Sequence, residues 1–196
     1  MDVKGRRDEY AEITRAAIVE SAIGLFASNG YAKTSIDAVA EAARVTKGGV
    51  YHHFKDKAEL FEAAFVAMEQ RLLAKVSEAA TGVDDPWQLM AAGIGTFLDE
   101  CGNADFRRIA LQEAPAALGW DRWKQIEEQY FLGMVVAGLD GLVGAGLIEV
   151  PSTEMTARVF LAAAGEAGLS VAAASDPQTR RQQAATLLMR LLRGLA

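Results

Sequence analysis

Residues Thr34 to Leu60 read TSIDAVAEAARVTKGGVYHHFKDKAEL, and this stretch decides the fold. Ile36, Val39, Ala40 and Ala43 form one apolar face at helical spacing. Thr34 stands ahead of them as an N-cap, and Asp37 three residues on completes a Thr-x-x-Asp variant of the capping box. Thr46 caps a second short helix, about Lys47 to Phe54, and Asp56 with Glu59 opens a third, longer one. Two short helices around a tight turn form the layout of a helix-turn-helix, whose second helix lies in a DNA major groove. Gly48-Gly49 makes that second helix weak on its own. Bare backbone there would let amides and Cα atoms approach a sugar-phosphate surface.

Charge is distributed to match. The net charge of −6 argues against nucleic acid, yet residues 1–75 hold eleven basic and eleven acidic side chains, and the excess acid lies beyond. Within 44–57, Arg44, Lys47, Lys55 and Lys57 face only Asp56. A protein so charged is suited to docking on phosphate through one end. Lys57 sits in the first turn of its helix, where a cation opposes the helix macrodipole. A phosphate bound at that N-terminus would account for it. Tyr51, His52 and His53 point about 100° apart on a helix, so they suit contacts to DNA or half-buried packing better than shared ligation of a metal.

Around this core the chain reads as helices throughout, about nine of them. The first runs from about Glu9 to Ser28, with Ile13, Ile18, Ala22, Leu25 and Phe26 as its stripe, and Asn29-Gly30 ends it. Lys4, Arg6 and Arg7 precede it as a basic arm, better read as a solvated terminus than as a minor-groove probe. A fourth helix spans roughly Lys57 to Ala80, and Asp85-Pro86 restarts the chain after a loop. Further helices are expected near 86–101, 104–117, 119–145, 152–175 and 177–194. With 51% hydrophobic residues, no long apolar run, no signal-peptide core and one cysteine, Cys101, the composition fits a cytoplasmic protein with no membrane span.

The Thr34–Leu60 wording resembles the DNA-binding signature of the TetR/AcrR repressors. Thr34, Ser35, Val39, Ala40, Val45, Thr46, Lys47, Gly48, Val50, Tyr51, His53, Phe54, Lys57 and Leu60 all fall in place, whereas Arg44 stands where that family usually has Gly. The resemblance implies a DNA-binding domain over 1–55, with its reading head at 35–54 and the family-type domain reaching about 72. A ligand-binding and dimerisation bundle follows over 56–196. The DNA contacts it implies are Thr34, Ser35, Arg44, Thr46, Lys47, Gly48, Gly49, Tyr51, His52, His53, Lys55 and Lys57. It implies a homodimer on a palindromic operator, released by a small apolar or aromatic effector and associated with the nucleoid when bound.

The second half carries the other candidates. Phe97, Phe106, Trp120, Trp123, Tyr130 and Met134 crowd together in an aromatic-poor chain, either as a packed core or, by the resemblance, as the wall of a ligand pocket. Phe160, Leu169, Leu187, Leu188, Leu191 and Leu192 supply more apolar surface than one helix pair needs, so the last two helices are expected to pair with their copies. Glu166, alone in an apolar helix, either anchors a polar group of a ligand or fixes the register of that interface, and the interface is the preferred reading. No nucleophile–base pair, phosphate loop or metal motif appears, so neither an enzyme nor a cofactor is expected. A regulator without ligand, an activator, or a helical binder with a vestigial head remain alternatives.

Overall fold

The computed structural model describes residues 3–195, with side chains from residue 8 onward. In chain order the elements are α1 (Val3–Asn29), α2 (Ile36–Ala42), α3 (Lys47–His53), α4 (Lys57–Ala79) and α5 (Pro86–Cys101). Then come α6 (Ala104–Phe106), a π-helical stretch (Arg107–Glu113), α7 (Ala114–Leu118), α8 (Trp120–Gly144), α9 (Thr153–Ala172) and α10 (Pro177–Arg193). α6, the π stretch and α7 run on without a break, so the described residues form nine helical rods and no strand. The fold is all-α, as the sequence leads one to expect.

Local chemistry sets most of the boundaries. Thr46 Oγ1 accepts from the Gly49 amide at 3.0 Å, Asp56 from Glu59 at 2.8 Å and Asp85 from Gln88 at 2.8 Å. The cap of α2 is Ser35, not Thr34: the Ser35 hydroxyl accepts from the Ala38 amide at 3.1 Å. Thr34 is instead turned inward, 3% exposed, with its hydroxyl donating to the Gly30 carbonyl at 2.8 Å. α1 begins at Val3, six residues before the expected start. The side chains of Lys4, Arg6 and Arg7 lie outside the described residues. Ile13, expected on the buried stripe, is 59% exposed.

The π stretch is the one element the periodicity does not foretell. Pro115 follows it, cannot donate to the carbonyl four residues back, and crowds that carbonyl with its ring. A locally wider turn relieves the mismatch.

α4 joins the two halves. On one side it packs on α1, and on the other on α5, α7 and α8. Phe26 and Tyr31 each meet Phe61 of α4 edge-on, with ring centroids 5.0 and 5.1 Å apart. Such pairs contribute about 1 kcal/mol beyond their buried area. α5 runs through the middle of the second half, against α4, α8, α9 and α10. A Cβ on Gly138 of α8 would come within 2.7 Å of Met90 Sδ, so the methionine side chain rests directly against that helix. No helix among the described residues is long and apolar enough to cross a membrane.

Candidate functional site

The outer face of α2–α3 is polar and open. Ser35, Arg44, Thr46, Lys47, Gly48, Tyr51, His52 and Lys55 are exposed, and Tyr51 keeps 48% of its surface. Val50 and Phe54, which alternate with them, are buried and hold α3 to the head. A Cβ on Gly48 would meet nothing closer than Thr46 Oγ1 at 3.8 Å, so packing within the chain does not require glycine there. Arg44 has φ 56°, the left-handed region. Its amide donates to Glu41 O and that of Val45 to Ala40 O, a Schellman ending with arginine where glycine is the easy choice. The residue stands exposed three positions before the start of α3.

Several expected contacts are otherwise engaged. Lys57 does not stand free for a phosphate. Its ammonium donates to the carbonyls of Tyr31 at 2.9 Å, Thr34 at 3.2 Å and Ala32 at 3.4 Å, and lies 4.5 Å from the Tyr31 ring. It therefore straps the loop before α2 onto α4, and those carbonyls account for a cation in that first turn. Thr34 is likewise an internal brace. Lys47 pairs with Asp37 across the two helices at 2.9 Å while both remain exposed. His53 is half-buried beside His52, Arg15 and Glu12; burial first, then His52 and Arg15, lower its pKa, with Glu12 opposing. Lys33, exposed two residues before the α2 cap, was not in the expected set. Its place in a loop gave no periodic signal.

The loop ahead of α2 is held from the other half too. Glu113, at the end of the π stretch, accepts from the Tyr31 amide at 2.5 Å and pairs with Arg108 at 2.8 Å. Gly30, φ 82°, lies where a Cβ would come within 2.6 Å of both side chains. Only glycine satisfies that turn and that approach together.

Between α4, α5, α8 and α9 lies a cavity of about 780 Å³. Leu72, Ile94, Phe97, Phe106, Phe131 and Met134 are among its apolar walls. Trp123 also lines it, and its indole N–H is buried with no acceptor among the described residues. Trp120, 64% exposed, stands at the mouth against Trp123. Tyr130 is not part of the wall: its hydroxyl accepts from Gln70 on α4 at 3.2 Å, away from the cavity. Two acids line the cavity that sequence reading passed over, Glu69 and Glu127. Glu69 is 3% exposed, and burial and the nearby Glu127 push its pKa well up. Burial lifts Glu127 to about 7, with Lys124 opposing and Glu128 adding. Glu69 was hidden because it falls among Phe65, Met68 and Leu72, where a single acid reads as the edge of the stripe. Among the described residues no three His, Cys, Asp or Glu are grouped to hold a metal ion.

Comparison with known proteins follows this division. Residues 18–64 match the model of the bacterial regulatory proteins of the tetR family, and residues 87–195 match a tetracyclin repressor-like C-terminal domain. The chain is 31% identical over 145 residues to the transposon Tn10 TetC protein of Escherichia coli, covering 73% of this chain and 72% of that one. The chain belongs to the TetR family.

Within that family it is 41% identical over 106 residues to the transcriptional regulator TtgR of Pseudomonas putida, a match spanning about half of each chain (53% and 50%). A TetR-family regulator of Pectobacterium atrosepticum superposes with a TM-score of 0.81 at 26% identity, over 95% of this chain and 96% of that one. A TetR-family chain is a DNA-binding transcriptional regulator, not an enzyme.

The last two helices of this TetR-family chain present an apolar stripe to solvent. Met155, Val159 and Leu169 on α9 and Leu187 and Leu191 on α10 are 42–62% exposed. Glu166 is exposed on the same helix. Phe160, Leu188 and Leu192 are not on this face: they are 8%, 1% and 1% exposed, inside the bundle. The periodicity marked both sides of α10 as apolar and could not say which faced inward. Cys101 is fully buried, with its thiol pushed up to about 12 by burial and neighbouring acids.

Proposed function

We propose that the chain is a dimeric repressor that reads a palindromic operator through α3 and leaves it when a small, largely apolar molecule fills the cavity. One observation carries the reading: α4 supplies both Phe61 to the packed head and Glu69 to the cavity, so the two sites share one rigid helix. Ligand and operator oppose each other if the ligand prefers the geometry that fits the half-sites worse. The contacts this reading assigns to DNA are Arg44, Thr46, Lys47, Tyr51, His52 and Lys55, with the backbone of Gly48 and Gly49 and the newly seen Lys33. Ser35 adds its hydroxyl at the start of α2. The reading places the protein in the cytoplasm, on the nucleoid when bound.

The dimer in this reading forms through the exposed stripe of Met155, Val159, Leu169, Leu187 and Leu191. One three-helix head offers too small a surface for a specific site, whereas two heads on a palindrome multiply affinity. Selection from random duplexes, followed by anisotropy titration, tests this. The expected outcome is an inverted repeat, with Arg44→Ala and Lys55→Ala each lowering the salt slope by about one unit. Binding without any sequence preference would refute it. Leu187→Glu should give a folded monomer by light scattering, and a wild type that is monomeric at micromolar concentration would remove the dimer.

A further inference from the structure

The cavity's polar groups do not fit a purely apolar guest. Glu69 is buried yet has no hydrogen bond or cationic partner among the described residues. A Leu at that point of α4 would continue the stripe of Phe65, Met68 and Leu72, and an unpartnered buried acid costs stability beside it. The second acid, Glu127, has Lys124 at 3.9 Å on its own helix, beyond direct hydrogen-bond reach and shared with Glu128 at 4.0 Å. Arg158 of α9 is bound to Glu128 and Glu154, not to Glu127. Independently, the Trp123 indole N–H faces no acceptor. The lining thus holds an acid and a donor, Glu69 and the Trp123 N–H, that each lack a counterpart among the described residues.

We infer that the cavity takes a lipophilic organic cation, its positive centre seated between Glu69 and Glu127 and its apolar body against Phe97, Phe106 and Phe131. This rests on the ligand-released reading above and narrows it. Aromatic faces around the seat add cation–π attraction, which strengthens once water is excluded. Trp123 offers its N–H to an oxygen or a ring face on the guest. A neutral guest would leave both acids to be protonated or to stay as uncompensated charge. A cation turns the same two groups into its counter-ions.

The empty site holds protons that a cation must displace. The groups facing the acid pair are Lys124 and Glu128 on α8, Cys101 and Glu100 on α5, and Glu166 and Arg158 on α9; α7 brings none. Cys101 stays a thiol at neutral pH, and Arg158 is tied to Glu128. The protons released on binding therefore come from Glu69 and Glu127. Affinity for a permanent cation rises with pH as those protons become easier to remove.

Calorimetry with methyltriphenylphosphonium, which carries no titratable proton, and triphenylphosphine oxide, a neutral acceptor of similar shape, tests the inference. At pH 7 the phosphonium should bind at least about tenfold more tightly. Its apparent enthalpy should vary with the ionisation enthalpy of the buffer, reporting release of about one proton. Glu69→Gln and Glu127→Gln should each weaken the phosphonium about tenfold and leave the oxide unchanged. If either variant fails to fold, the wild type alone decides: phosphonium affinity should climb from pH 5.5 to pH 7.5 while that of the oxide stays flat. No phosphonium binding, equal or tighter binding of the oxide, no proton release, or unaltered phosphonium binding by both folded variants would each overturn the inference. Operator release is read separately by anisotropy. Release by the oxide but not the phosphonium sinks the cation and keeps the ligand-released repressor. Tight phosphonium binding with proton release but no effect on DNA does the reverse.

Discussion

The head and the bundle below it solve opposite problems. In the head, Phe26, Phe54, Phe61 and Phe65 are 0–2% exposed and fill the interior, and Arg44, Lys47, Tyr51, His52 and Lys55 are left exposed on its outer face. In the bundle, apolar side chains surround empty space, and the polar groups of note, Glu69, Glu127 and the Trp123 N–H, point inward. The contrast teaches that a dry core fixes where an outer surface is presented. A hollow one gives up packing to keep groups waiting for a guest.

The sharpest way to break that contrast is truncation in each half. Phe61→Ala should cost about 3–5 kcal/mol, because the filled head cannot close over the gap. Phe97→Ala, which enlarges a space already present, should cost about 1 kcal/mol or less beyond the area it stops burying. Chemical denaturation of the two variants compares them directly, and equal losses would mean that the bundle is as solid as the head.

Next in size is the effect of pH. Glu127 has a folded pKa raised to about 7, above its ordinary carboxylate value, and Glu69 is shifted in the same direction. The folded state thus holds protons that the unfolded chain has lost. The stability they contribute is present in full below the unfolded pKa and is lost as pH rises from about 4.5 through about 7. Glu127→Gln should flatten this decline, leaving the variant about 2 kcal/mol more stable than wild type at pH 8. Melting temperatures across pH 5 to 8 check it. No such acid slope is expected from the head's filled core.

Smaller effects probe the head's own surface. Lys57→Met should lower stability by about 1–2 kcal/mol, since the loop of Tyr31, Ala32 and Thr34 loses its strap. It should weaken operator binding through that looseness, with no unit change in salt slope. A salt slope reduced by one would restore Lys57 to the phosphate. Arg44→Gly should stabilise by about 1 kcal/mol, because glycine takes the left-handed turn without strain. The same change should weaken DNA binding, and a gain in both would show that the cation does nothing there.

How much of this was written in the sequence follows the same division. Caps, glycines and periodicity are local signals, so α2, α3, α4 and their turns are legible from Thr34 to Leu60, and Arg44 stands out there as the non-glycine residue at the turn, with φ 56°. The family itself could be read there too. Thr34 and Lys57 are engaged within the chain, which a signature does not reveal, because it states which residues recur and not which way they face. The bundle's candidates divide along similar lines. Phe97, Phe106, Trp123 and Met134 do line a cavity, whereas Tyr130 does not, and helical spacing alone cannot tell a wall from a core. Phe160, Leu188 and Leu192 point inward, which periodicity cannot tell because both sides of α9 and α10 are apolar. Glu69 could be seen as a letter but not as a buried acid, since its burial depends on α8 arriving from sixty residues further along the chain.

The burial of Cys101 has a practical reach. It is the chain's one thiol, fully enclosed and protonated at any working pH, so it neither forms disulfides readily nor takes up maleimide at a useful rate. The native surface is chemically silent toward thiol reagents. A cysteine introduced at Lys33 would then be the one labelled atom per chain, and in the proposed dimer a pair of spin labels there would report the distance between the two heads without any other change to the protein.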